Sequence, residues 1–169
     1  MHSSHSNLST ETFEGLLFIQ ELDKLKTILR QTLIYDESRR ENTAEHSWHL
    51  ATAVLALTKH SNKPIQLERA LKMALLHDVV EIDADDTFVY DAIATKSKAE
   101  RELKAADRIF HLLPLELAIE FKELWLDYEA QNCPESNFVA SLDKLLPMIA
   151  NFNTEGTPGK SMELKLIKF

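Results

Sequence analysis

Apolar residues recur at three- and four-residue steps along almost the whole chain, and little interrupts them. Phe13, Leu16, Leu17, Leu22, Leu25, Ile28 and Leu29 form the first series, which predicts an amphipathic helix from Phe13 to Leu29. Only three glycines and five prolines occur in 169 residues, so few points exist where a helix must stop. The polar stretch "YDESRREN" reads as a loop, and Asn42 with Glu45 three residues on has the form of a capping box opening a helix to about His60. His46 then falls in that helix's first turn. After "SNKP", Leu67, Ala70, Leu71, Ala74 and Leu75 carry a third helix up to His77 and Asp78. "DADDTFVYD" reads as an irregular acidic loop. Helical spacing resumes with Leu103, Ala106, Ile109 and Phe110, stops near Pro114, and returns with Leu117, Phe121, Leu124, Trp125 and Tyr128. Pro134 opens the last helix, where Phe138, Leu142, Leu145 and Ile149 share a face and Pro147 is expected to kink or shorten it. The expected fold is all-α, a compact single-domain bundle of about six helices without strands. A flexible polar start (1–12), one domain (13–152) and a short tail (153–169) make up the expected organisation.

Charge narrows the function classes. The net charge of -8 and the lack of a Lys/Arg-rich patch disfavour a sustained grip on a nucleic acid polymer, although one or two local cations suffice for a small phosphate. Cys133 is the sole cysteine, which excludes an intrachain disulfide and fits a reducing compartment. No apolar run nears the roughly 20 residues a bilayer span needs, and "MHSSHSNLST" lacks a signal-peptide core, so a soluble cytoplasmic protein with no membrane partner is expected. Neither a Gly-rich phosphate loop nor a G-x-S-x-G elbow is present, and "EHSWH" lacks the H-E-x-x-H order of a zinc protease. Trp125 and Tyr128 read as core packing, as does Trp48, whose other placement is lining the site; His2 and His5 lie outside any expected site.

The stretch "MALLHDVVEIDADD" sets a sharper problem. His77 and Asp78 sit about 100° apart on a helix end, and Glu81 follows at i+4 from one and i+3 from the other. Carboxylates are poorly placed at a helix C-terminus, where the dipole favours cations, so something positive nearby would resolve the misfit. Taken alone, the cluster also reads as acids solvating a helix end beside a satisfied histidine. Asp143 adds to it, because "NFVASLDKLLPMIA" places a carboxylate between Leu142 and Leu145, where charge costs energy unless paired or metal-bound. The other placement for Asp143 is the helix's polar side, with Asn137.

His46, then His77-Asp78, then Asp143 in "SLDK" resembles the H...HD...D signature of the HD-domain metal-dependent phosphohydrolases. The strings "ENTAEHSW" and "LLHDVVEIDADDTFVYD" are similar to those of the branch that contains 5'-deoxynucleotidases, and the likeness covers roughly residues 20 to 152. The resemblance implies one divalent cation, Mn, Co, Mg, Zn or Fe, held by His46, His77, Asp78 and Asp143. Two neutral imidazoles and two carboxylates bring such a cation close to neutrality and leave positions open for water and a phosphate oxygen. It further implies that Glu81 and Asp86 handle protons, one at the attacking water and the other at the leaving oxygen, in an order the sequence leaves open. Arg30 matches the phosphate-binding arginine when one inserted residue is allowed, with Arg39 and Arg40 as rivals. The expected partner is a small phosphorylated substrate, a mononucleotide, and the expected assembly a homodimer.

The chain departs from the family pattern at three points. Asp85 stands where many relatives have glycine, Gln31 stands where deoxynucleotidases carry a tryptophan beside the sugar, and the tail is shorter than in relatives. The implied activity is removal of phosphate from (deoxy)nucleoside 5'-monophosphates. The alternatives are an HD phosphodiesterase acting on cyclic or polyphosphorylated nucleotides, and a module that binds metal and nucleotide without turnover.

Overall fold

The computed structural model describes residues 9–84 and 92–154, with side chains described for all of these except 92–97, 153 and 154. Helix α1 (Thr10–Leu22) starts at Ser9, whose hydroxyl accepts from the Thr12 amide at 3.1 Å. The helical series does not continue to Leu29. It tightens into a 3-10 segment at Asp23–Thr27 and then extends into strand β1 (Leu29–Leu33). The apolar spacing here is helical, and it is burial, not apolar character, that alternates. Leu25 is buried from the 3-10 turn, while from Leu29 to Leu33 exposed and half-buried residues alternate, and β-branched Ile28, Thr32 and Ile34 favour the extended backbone.

Strand β1 pairs antiparallel with β2 (Arg40–Asn42), Leu29 opposite Asn42 and Leu33 opposite Arg40. The expectation of no strands is therefore corrected by one small hairpin in an otherwise helical fold, and the end of "YDESRREN" is strand rather than loop. Its turn is built by Asp36, whose Oδ1 accepts from the Ser38 amide at 3.0 Å and hydroxyl at 2.7 Å, and by Glu37 in the left-handed region at φ 59°.

Helix α2 (Thr43–Leu57) begins with the expected capping box, Asn42 and Glu45 each bonding the other's backbone amide. Then come α3 (Leu67–Leu76), the one-turn α4 (Glu81–Ala84), α5 (Ala92–Phe110), α6 (Leu115–Ala130) and α7 (Pro134–Thr154). Asp83 and Ala84, expected in a loop, complete α4; residues 85–91, including Asp85 and Asp86, lie outside the described residues. Pro147 does not shorten α7, which runs through it to Thr154.

The short, strongly amphipathic α3 lies at the centre, packed against α2, α6 and α7. Leu50 and Val54 of α2, Met73 of α3, Ile109 and Phe110 of α5, and Val139 and Leu142 of α7 are sealed from solvent around it. Each such side chain contributes about 1.5–3 kcal/mol through burial. Phe18 closes the α1 side, its ring 6.4 Å from Phe110 and 6.0 Å from Phe121. Trp125 is in the core as expected, but Trp48 is not: it is 67% exposed and stacks on His49. Two residues after buried His46, its side chain points about 200° around the helix, away from the core. Among the described residues, no helix is long and apolar enough to cross a membrane.

Candidate active site

One end of α3 meets the first turn of α2, the middle of α7 and the hairpin, and charged side chains from all four converge there. His77 is the C-cap residue of α3 and is buried. Its Nδ1 lies 3.0 Å from the Ala74 carbonyl, which can only accept, so Nδ1 carries the proton and Nε2 is left for other use. That Nε2 is buried without a hydrogen bond, 3.1 Å from Asp78 Oδ2 and 4.0 Å from Asp143 Oδ1. His46 comes from the opposite side, its ring 5.4 Å from that of His77 and its Nε2 2.8 Å from Asp143 Oδ1. The capping box sets this approach by fixing the direction in which α2 leaves the hairpin. Asp143 is half-buried and faces the histidines, so it is not on the polar side with exposed Asn137. Tyr128 packs edge-on against His77 and donates its hydroxyl to Asp143 Oδ2 at 3.1 Å.

Arg30, on the half-buried face of β1, reaches across to donate to Asp78 Oδ2 at 2.7 Å and brings a second nitrogen within 4.0 Å of Asp143. Arg39 points elsewhere and grips both oxygens of Glu45, at 2.7 and 2.8 Å, while Arg40 is exposed. Glu81, at the start of α4, accepts from the buried hydroxyl of Thr43 at 2.9 Å. Arg108 ties α4 down, bonding both carboxylate oxygens of Asp83 and also Glu21 of α1.

The electrostatics follow from this crowding. Burial acts to lower the pKa of His46, but its hydrogen bond to Asp143 and the nearby Glu41 carboxylate outweigh that and raise it to about 9. Burial acts to raise Asp78 and Asp143, and the histidines beside both, with Arg30 beside Asp78, hold each carboxyl below its ordinary range. Burial, then the charges of Asp143 and Asp78, push the Tyr128 hydroxyl up, so it stays a donor.

These residues fit a divalent cation. One donor atom each from His46, His77 and Asp143 lie within 4.8 Å of one another, and an oxygen of Asp78 is 3.9 Å from His46 Nε2. Imidazole nitrogens mixed with carboxylate oxygens suit a borderline or hard divalent ion, and such an ion would also satisfy the buried Nε2 of His77.

The family model for the HD domain matches residues 22–169. The chain belongs to the HD domain family. The human 5'-deoxynucleotidase HDDC2 is 30% identical over 146 residues, covering 82% of this chain and 70% of that protein. The 5'-deoxynucleotidase hdd1 of Schizosaccharomyces pombe is 33% identical over 144 residues, covering 82% and 71%. A crystal structure described as a predicted metal-dependent phosphohydrolase from Magnetospirillum magnetotacticum MS-1 superposes with a TM-score of 0.80 at 49% identity, over 86% of this chain and 73% of that one.

In this HD domain protein the structure brings together Arg30, His46, His77, Asp78 and Asp143, and it places Glu81 at the Thr43 hydroxyl beside that group. Sequence reasoning missed two neighbours, Glu41 and Tyr128. Glu41 lies inside the quoted string "ENTAEHSW" and went without a role. Tyr128 is buried in its helix's apolar stripe as expected, and only the tertiary fold reveals what its hydroxyl meets.

Proposed function

We propose that the protein is a metal-dependent phosphohydrolase that releases phosphate from small phosphomonoesters, nucleoside 5'-monophosphates above all. The observation that carries this reading is the buried Nε2 of His77, which makes no hydrogen bond although it lies 3.1 and 4.0 Å from two carboxylates, beside a second histidine ring. His46, His77, Asp78 and Asp143 would hold the cation. When bound, it supplies a water of lowered pKa and polarises a phosphoryl oxygen. Arg30 neutralises the phosphate with the two terminal nitrogens that now face Asp78 and Asp143. Glu81, steadied by the Thr43 hydroxyl, and Asp86 move protons to and from the reacting oxygens. Tyr128 keeps the second oxygen of Asp143 occupied, which leaves the first directed at the histidines.

The relatives called 5'-deoxynucleotidases support the choice of nucleotide. The lone cysteine supports a cytoplasmic setting, and the exposed apolar side chains of Trp48, Leu55 and Met148 support a homodimer. The test is phosphate release from a panel of nucleoside monophosphates with Mn, Co, Mg or Zn, alongside cyclic and polyphosphorylated nucleotides, and elemental analysis of the purified protein. Asp78→Ala is expected to lower turnover by more than the roughly 100-fold that losing an orienting residue around a metal costs. Equal turnover in that variant, or cleavage confined to diesters, would remove this reading.

A further inference from the structure

Two buried polar atoms in the site lack a hydrogen bond and share one neighbour. Nδ1 of His46 lies 3.6 Å, and Nε of Arg30 3.7 Å, from the same atom, Oε2 of Glu41. The three side chains are 1%, 21% and 14% exposed, so little water reaches these two nitrogens, and their other polar atoms are already engaged by Asp143 and Asp78. The backbone holds Glu41 in place: it is the middle residue of β2, next to Asn42, which both pairs with Leu29 across the hairpin and caps α2.

We propose that Glu41 is a positioning residue for both halves of the site, accepting the Nδ1 proton of His46 and the Nε proton of Arg30. The inference rests on the reading above, in which His46 holds the cation and Arg30 the phosphate. Without a cation both ring nitrogens face a carboxylate, Nε2 at 2.8 Å from Asp143 and Nδ1 at 3.6 Å from Glu41; with a cation at Nε2 the neutral imidazole would keep its one N–H at Nδ1, where Glu41 would accept it. His77 is set in the same tautomer by a different group, the Ala74 carbonyl. For Arg30, engaging Nε orients the planar guanidinium so that its two terminal nitrogens point into the cluster. Both contacts to Glu41 are a few tenths of an ångström longer than a hydrogen bond, a gap of the kind that closes when a site is loaded. One carboxylate thus couples where the cation sits to where the phosphate sits.

The test uses Glu41→Leu, which removes the acceptor, and Glu41→Gln, which keeps an oxygen there. Titration calorimetry with Mn²⁺ is expected to show a 10- to 100-fold loss of affinity in Glu41→Leu and a loss at the lower end of that range in Glu41→Gln. Binding of inorganic phosphate to the Mn²⁺-loaded protein should weaken in the same order. The second readout needs no metal. In chelator-treated protein at pH 7, proton–nitrogen NMR is expected to show the His46 Nδ1–H as a resolved, downfield-shifted signal in the native chain and to find it moved upfield or lost to exchange in Glu41→Leu. Native Mn²⁺ affinity in Glu41→Leu with an unchanged Nδ1–H signal overturns the proposal. If Glu41→Leu does not fold, native Mn²⁺ affinity in Glu41→Gln overturns it. If the native chain itself takes up no Mn²⁺, the phosphohydrolase reading fails, and the Nδ1–H measurement still decides the role of Glu41.

Discussion

Without a cation beside it, His46 keeps its proton to about pH 9, against an ordinary value of 6.5. The folded value is the higher one, so the charged ring adds stability that is complete below pH 6.5 and is lost as pH rises through about 9. A cation needs the lone pair that this proton occupies. At pH 7, binding should therefore expel at least about one proton per cation, and affinity should climb with pH until about 9 and then level off. Titration calorimetry in buffers of different ionisation heat measures this directly; a heat independent of buffer would contradict it. At this scale part of the site was legible because it breaks local rules, acids at a helix end and a carboxylate in an apolar run, whereas His46 drew its role from the family signature. Glu41 and Tyr128 break none. Their roles depend on neighbours that the chain brings up only after folding, from β1 and α2 in one case and from α3 and α7 in the other.

Among the elements, the hairpin and α2 form one unit, because β2 ends on the residue that caps the helix. Asn42→Ala removes the side-chain acceptor of the Glu45 amide and is expected to cost about 1 kcal/mol, read from urea unfolding of the chelated protein. Cation affinity should fall as well, since His46 rides on that first turn; unchanged stability would show that the cap is redundant. The cap could be read from its residues alone, with Asn and Glu at the right spacing. The strand could not, because Leu25, Ile28, Leu29 and Leu33 keep a helical spacing while polar Thr27 and Gln31 interrupt any alternation, so the sequence carries no period-two signal and pairing with β2 makes the strand. Trp48 was misplaced for a related reason: aromatic character favours burial, but its angle from His46 turns it outward, and angle prevails.

At the scale of the whole molecule, the site and the core are a single construction. Leu142, fully buried, immediately precedes Asp143. Leu142→Ala should destabilise the protein by about 2–5 kcal/mol in urea unfolding. A divalent cation at about 100 times its dissociation constant should return roughly 2.7 kcal/mol, as it does for the native chain. A variant that gains nothing from the cation would show that the cavity has spread to the ligands. The helical class and the bundle were legible because periodic apolar faces leave few other ways to fold. The convergence of His46 with Asp143, 97 residues away, was expected only through the family likeness, since no local pattern encodes it. One last property lies in α7, which continues through Pro147. A proline has no amide proton to give the carbonyl four residues back, and four back is Asp143. The helix therefore does not clamp the backbone of that residue from the C-terminal side. The turn that carries its carboxylate toward the histidines thus has one helix hydrogen bond fewer to resist a small adjustment.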